Sequence, residues 1–195
     1  MTKASTRRLP VAERRASILE AGGRLFGERG YEGTRLEDIA AAAGVTKPIV
    51  YRHFASKGDL YLALLERHRD DLETFAPRIP ASGPPQERLR AVLDVWLDYV
   101  EQHAYAWRML FRDHGGGPRI SEFRLAVHVR ARGVLMEIIR GFGGREIPPV
   151  QLEPLAELMS MGMGSLVLWW LDNPEVPRDA ILDALTHVWV GLLTV

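Results

Sequence analysis

No cysteine occurs in the 195 residues. That excludes disulfides, cysteine-ligated zinc, thiol redox chemistry and a cysteine nucleophile together, and it fits a reducing, cytoplasmic setting. Net charge is missing as well. With 25 Lys+Arg against 25 Asp+Glu, the sum lacks the basic surplus usual for a nucleic-acid binder. Long apolar runs are scarce: the longest, 158–171, is 14 residues interrupted by Ser and Gly, too short to cross a bilayer and better suited to a buried helix. The polar, basic stretch 1–15 is not followed by the apolar segment of a secretion signal, so a soluble protein without a membrane partner is expected. No segment alternates with period two, and no Asn-Gly turn joins β-branched runs. His-Glu-x-x-His, Gly-x-Ser-x-Gly and the P-loop are all absent, and the glycines at 141–144 follow no strand. His103, His114 and His128 have no metal spacing. Neither a catalytic site, a metal nor a cofactor is expected.

What is present is helical. Ile18, Leu19, Gly22, Leu25 and Phe26, with Val11 before them, mark one face of a first helix ending near Gly30. Leu89, Val92, Leu93, Trp96, Leu97 and Val100 recur at i, i+3, i+4, and so do Ile181, Leu182, Leu185, Val188, Trp189, Leu192 and Leu193. Breakers separate these segments: Pro77 to Pro85, Gly115 to Pro118, Gly141 to Pro149, and Asn173 to Pro177. The pattern predicts an all-α chain of about nine helices, four short ones lying within the first 76 residues. Charge divides along the same line. Residues 1–60 hold 11 Lys+Arg and 7 Asp+Glu, the remainder 14 and 18, so a basic end is joined to an acidic body, as expected when one region meets a polyanion.

Between Gly33 and Leu60 the sequence becomes specific. Thr34 with Glu37 reads as a capping box opening a short helix. Ile39, Ala40 and Ala43 give it an apolar face, and Gly44 ends it in the left-handed conformation glycine adopts freely. Thr46 then stands at the cap of a second short helix that tolerates Pro48 in its first turn. Two short helices across a glycine turn describe a helix-turn-helix, whose second helix reads the major groove with its N-terminal residues. Those residues are Thr46, Lys47, Pro48 and Ile49, with Tyr51, Arg52 and His53 behind them. Lys47 supplies a donor for phosphate or guanine, and Pro48 and Ile49 supply apolar surface for thymine methyls. Ser56 with Asp59 forms a second capping box, placing Lys57 at a helix start where phosphate is favoured. Only three lysines stand beside 22 arginines, and two of them, Lys47 and Lys57, fall here.

The run from Thr46 to Leu60, preceded by Ala21, Leu25, Phe26, Gly30, Tyr31, Thr34, Ile39, Ala40, Ala43, Gly44 and Val45, resembles the TetR/AcrR family of transcriptional regulators over about the first 60 residues. The resemblance implies a DNA-binding domain over 1–56 and a helical ligand-binding and dimerisation domain over 57–195. It further implies a homodimer on a pseudo-palindromic operator, most often a repressor released by a small apolar or amphipathic effector. By carry-over, Thr34, Thr46, Lys47, Tyr51, His53 and Lys57 contact phosphates while Lys47, Pro48 and Arg52 lie near bases. Arg35 is a further candidate for the groove, and the basic tail with Lys3, Arg7 and Arg8 for the adjacent backbone.

In the body, Trp96, Tyr99, His103, Trp107, Phe111, Phe123, Val127, Met159 and Met163 are the candidates for an apolar ligand cavity. The last two helices carry more apolar surface than one partner covers. Leu158, Gly162, Ser165, Leu166, Trp169, Leu185, Val188, Trp189 and Leu192 are the candidates for a dimer interface. The competing readings are a helical small-molecule-binding protein or enzyme without DNA binding, and an architectural DNA binder indifferent to sequence.

Overall fold

A computed structural model describes residues 10–73, 83–142 and 147–194. It is all-helical within them: α1 (Val11–Gly33), α2 (Leu36–Ala42), α3 (Lys47–His53), α4 (Lys57–Glu73), α5 (Pro85–Gln102), α6 (Ala104–Phe111), α7 (Gly117–Phe142), α8 (Pro149–Asp172) and α9 (Arg178–Thr194). The all-α expectation holds. Of the four N-terminal helices only α2 and α3 are short, at 7 residues each; α1 has 23 and α4 has 17. The loop residues Pro77 and Pro80 and the basic tail lie outside the described residues.

The stripe on α1 buries Ile18, Leu19, Leu25 and Phe26, but Val11 at its start stands in solvent. Regular helix stops at Gly30, whose φ of 70° and extended ψ turn the chain out of line. That turn corrects the reading of Thr34. Its hydroxyl points back, donating to the carbonyls of Leu25 at 3.1 Å and Gly30 at 2.8 Å, so the residue is wholly buried. The cap position of α2 falls to Arg35, which makes no side-chain cap. At the other end of α2 the glycine turn forms as expected. Gly44 takes φ 66°, and the amides of Gly44 and Val45 donate to the carbonyls of Ala41 and Ala40, satisfying the last turn. Thr46 occupies the cap of α3 without a side-chain bond, with Pro48 in the first turn. Ser56 does cap α4: its hydroxyl accepts from the Asp59 amide at 3.1 Å and donates to the Asp59 carboxylate at 2.8 Å.

These four helices close around Ile18, Phe26, Ile39, Val50, Phe54, Leu60 and Leu64, and that core runs on into Met109, Leu110, Ile120 and Val127 of α6 and α7. The α1–α6 contact is close because α1 presents glycines: a Cβ at Gly27 would stand 2.7 Å from Cβ and 2.9 Å from Cα of Tyr105. A second core joins α5 to α9 through Leu93, Leu97, Ile139, Ala156, Val167, Leu182 and Trp189. At the rim of that core Arg178, opening α9, donates to the carboxylates of Asp94 and Asp98 on α5, each at 2.6 Å.

Candidate nucleic-acid interface and effector cavity

Along α3, Val50 and the following Phe54 are buried anchors, which turns the opposite side of the helix outward. Thr46, Lys47, Pro48, Tyr51 and Arg52 are exposed there, Ile49 and His53 are half-buried, and Arg35 is exposed at the start of α2. The structure thus brings eight of the ten expected contact residues to one end of the molecule. Lys47 leans across to α2 and pairs with the Glu37 carboxylate. The hydrogen bond between them is the main cause that holds Glu37 below and Lys47 above their usual ranges. The same ammonium lies 5.9 Å from the centre of the Tyr51 ring.

Two expected contacts are corrected. Thr34 is spent inside the fold, as described. Lys57 folds back under the head: its ammonium donates to the carbonyl of Tyr31 at 2.7 Å and of Thr34 at 3.1 Å, and sits 4.2 Å from the centre of the Tyr31 ring. It pins the α1–α2 junction to α4. Nothing in the sequence distinguishes that use from phosphate binding, because the turn at Gly30 creates it.

The same junction is held from the body. Asp113, just beyond α6, accepts from the Tyr31 amide at 2.7 Å, the Tyr61 hydroxyl at 2.9 Å and the Gly115 amide at 2.9 Å. Arg124 of α7, buried beside it, donates to Tyr61 at 2.9 Å and to the carbonyls of Met109 and Gly115. Burial pushes the Tyr61 hydroxyl well above the usual tyrosine range, so it stays protonated as a donor.

The body encloses a cavity of about 250 Å³ bounded by α5 to α9, with Arg69 contributed from α4. Trp96, Trp107, Phe111, Val127 and Met163 line it as expected. Trp96 and Trp107 meet edge to face at 5.4 Å, and Phe111 stacks on Trp107 at 5.6 Å. Tyr99, His103, Phe123 and Met159 are not among its lining. Tyr99 and His103 instead surround His68, whose Nδ1 is 2.6 Å from the Tyr99 hydroxyl. Phe123 lies under the Arg69 guanidinium, and Met159 is packed into the core. Sequence reasoning missed Leu89, Val92 and Leu93 of α5, Arg130, Ala131, Val134, Leu135 and Ile138 of α7, and Ser160 of α8. Their helical spacing fits core and cavity wall equally. His128 is also in the wall, edge-on to Phe111, and burial holds its imidazole below the usual histidine range.

Leu158, Trp169 and Val188 are exposed, at 67%, 51% and 54%, and Gly162 and Ser165 lie open on the same stretch of α8. Leu166 and Leu192 are half-buried. Leu185 and Trp189 are corrected: both are buried within the subunit, and Trp189 closes the cavity. Their stripe and that of Val188 diverge by one residue, about 100° around the helix, which periodicity over a wide apolar face does not resolve. Among the described residues no group of three or more metal-ligating side chains converges, and no helix is long and apolar enough to cross a membrane.

Residues 18–64 match the family model described as bacterial regulatory proteins, tetR family, and residues 85–192 match the tetracyclin repressor-like C-terminal domain. The chain is 28% identical to the HTH-type transcriptional activator FasR of Mycolicibacterium smegmatis, over 95% of this chain and 85% of that one. It superposes on a TetR-like transcriptional regulator from Rhodococcus sp. RHA1 with a TM-score of 0.74 at 28% identity, covering 95% and 98% of the two chains. AibR, solved in complex with isovaleryl coenzyme A and operator DNA, superposes with a TM-score of 0.68 at 26% identity, covering 90% and 97%. The second model alone spans more than half of the sequence, and the chain therefore belongs to the TetR family of transcriptional regulators, not to a family of enzymes.

Proposed function

We propose that the protein binds a pseudo-palindromic operator as a homodimer and is released from it by a small apolar or amphipathic effector held in the body cavity. The observation that carries this reading is the outward face of α3. Its exposed Thr46, Lys47, Pro48, Tyr51 and Arg52 stand on buried Val50 and Phe54, which gives a rigid helix of polar and apolar reading groups. Lys47, Pro48, Ile49 and Arg52 meet base edges, while Arg35, Thr46, Tyr51 and His53 position the backbone. Functionally the chain divides at Ser56, with α4 shared by both halves. The second copy covers the apolar face of Leu158, Gly162, Ser165 and Trp169 with Val188. Two α3 helices then sit about 34–36 Å apart, one turn of DNA.

AibR, whose structure holds both an acyl thioester and operator DNA, supports the pairing of effector with reading head. Whether occupancy represses a gene, as the family resemblance implies, or activates it, as the name of FasR says, follows from where the operator lies relative to the promoter. The protein acts where the chromosome is, in the cytoplasm. Selection of bound fragments from random DNA tests the reading. A two-fold pseudo-palindrome with half-sites about ten base pairs apart is the expected product, and a pool that shows no enrichment overturns it.

A further inference from the structure

Residues 46–53 contain no acid, yet a carboxylate reaches the outward side of α3. It belongs to Glu37, in the first turn of α2, which pairs with the Lys47 ammonium. The other acid of that turn, Asp38, is taken by Arg29 of α1 at 3.5 Å. Both members of the Glu37–Lys47 pair are about half exposed, so the pair contributes little to the fold and lies open to whatever docks on α3. The Tyr51 ring, one turn along α3, stands near the same ammonium. Lys47 is thus held between a carboxylate on one helix and a ring on the next. A free lysine at this place would be a mobile, strongly hydrated point charge, ready to meet any phosphate. Held in this way its charge is offset, and its bond to Glu37 engages one N–H donor of three.

Resting on the reading of α3 as the recognition helix, we propose that Glu37 is a specificity-determining residue, which turns Lys47 from a phosphate contact into a reader of base edges. Phosphate contact is electrostatic and blind to sequence, and a carboxylate beside the cation cancels much of its gain. Glu37 therefore withholds affinity from DNA that offers only its backbone, a repulsive element of the kind that discrimination requires. A guanine is recognised differently, through O6 and N7 acceptors that need donors in a fixed place. With Glu37 on one side, Lys47 keeps two N–H groups for such a pair of acceptors. Its place as the first residue of α3 is where a recognition helix meets the bases. Because Glu37 stands on α2, discrimination is built from both helices of the motif and not from the second alone.

Two measurements on the full chain test it, with Glu37→Gln, Lys47→Ala and the double variant beside the wild type. The first is binding to a labelled random-sequence duplex between about 50 and 200 mM salt. Glu37→Gln is expected to bind that duplex at least about threefold tighter at the lower salt. Its plot of log affinity against log salt steepens by about one unit for each subunit engaged. The second is selection from random DNA. The wild type is expected to prefer guanine at one position of each half-site. Glu37→Gln and Lys47→Ala each lose about tenfold of the discrimination at that same position, and the double variant loses no more than either alone. Random-duplex binding unchanged in Glu37→Gln, a Glu37→Gln pool with the wild-type preferences, or losses that fall at different positions or add together each overturn the proposal. They leave the operator reading standing. A Glu37→Gln protein that melts well below the wild type makes the pair structural and overturns it too. A wild-type pool without enrichment overturns the operator reading and the proposal together.

Discussion

His68 is buried on α4 with its Nδ1 beside the Tyr99 hydroxyl and its Nε2 without a partner. Burial, then the neighbouring His103 and Arg67, push its imidazole down to about 3. In the unfolded chain the same group titrates near 6.5. Below that pH the unfolded state takes up a proton that the native state refuses, so the stability contributed by a neutral His68 is complete above pH 6.5 and is lost as pH falls toward 3. The loss runs at about 1.4 kcal/mol per pH unit. Urea unfolding at pH 7.5 and pH 5.0 is expected to cost the wild type about 2 kcal/mol more than it costs His68→Phe. Equal losses in the two proteins would show that His68 is protonated in the native state. Thr34 and Lys57 teach a related lesson about single residues. Their types and spacing fit a cap and a phosphate contact, and both are instead used internally because one backbone turn at Gly30 redirects the chain.

At the scale of helices, the approach of α1 to α6 depends on an absent side chain. A methyl at Gly27 would strike the backbone of Tyr105, which has no rotamer to yield, whereas a methyl at Gly133, in the middle of α7, meets nothing within 4 Å. Gly27→Ala is expected to destabilise by about 1–3 kcal/mol and Gly133→Ala to stabilise by up to about 1 kcal/mol, both read from chemical denaturation. If the two substitutions shifted stability in the same direction, α1 and α6 would not be rigidly apposed. Helix positions were largely legible in the sequence because they depend on local signals: the stripe of α1, the glycine turn at Gly44 and the Ser56–Asp59 cap all form where their residue types place them. The cavity was only half legible. Whether Val92 or Leu93 faces a neighbour or a hollow is decided by what stands across from it, and the α5 stripe is the same in either case.

For the whole molecule, the two buried cores account for most apolar side chains but leave the face of Leu158, Trp169 and Val188 in solvent. An exposed patch of this kind is a liability on a monomer and an asset in a two-fold assembly. Leu158→Glu, at a residue two-thirds exposed, is expected to keep the fold and its melting temperature while giving monomers in sedimentation and weakening operator binding about a hundredfold or more, through the loss of one half-site contact. A dimer that persists in Leu158→Glu would relocate the interface.

The five tryptophans are distributed so that the protein carries its own optical reporters. Trp96, Trp107 and Trp189 stand in the wall of the cavity, Trp169 is exposed on α8, and Trp170 is buried with its indole donating to the Val176 carbonyl at 3.0 Å. Emission from the wall responds to whatever fills or empties the hollow, and Trp169 is exposed to an aqueous quencher, an exposure that the proposed dimer would remove. On the proposed function, effector entry is expected to change the spectrum and dimer formation to change the quenching in one unlabelled sample, with Trp170 as an internal constant.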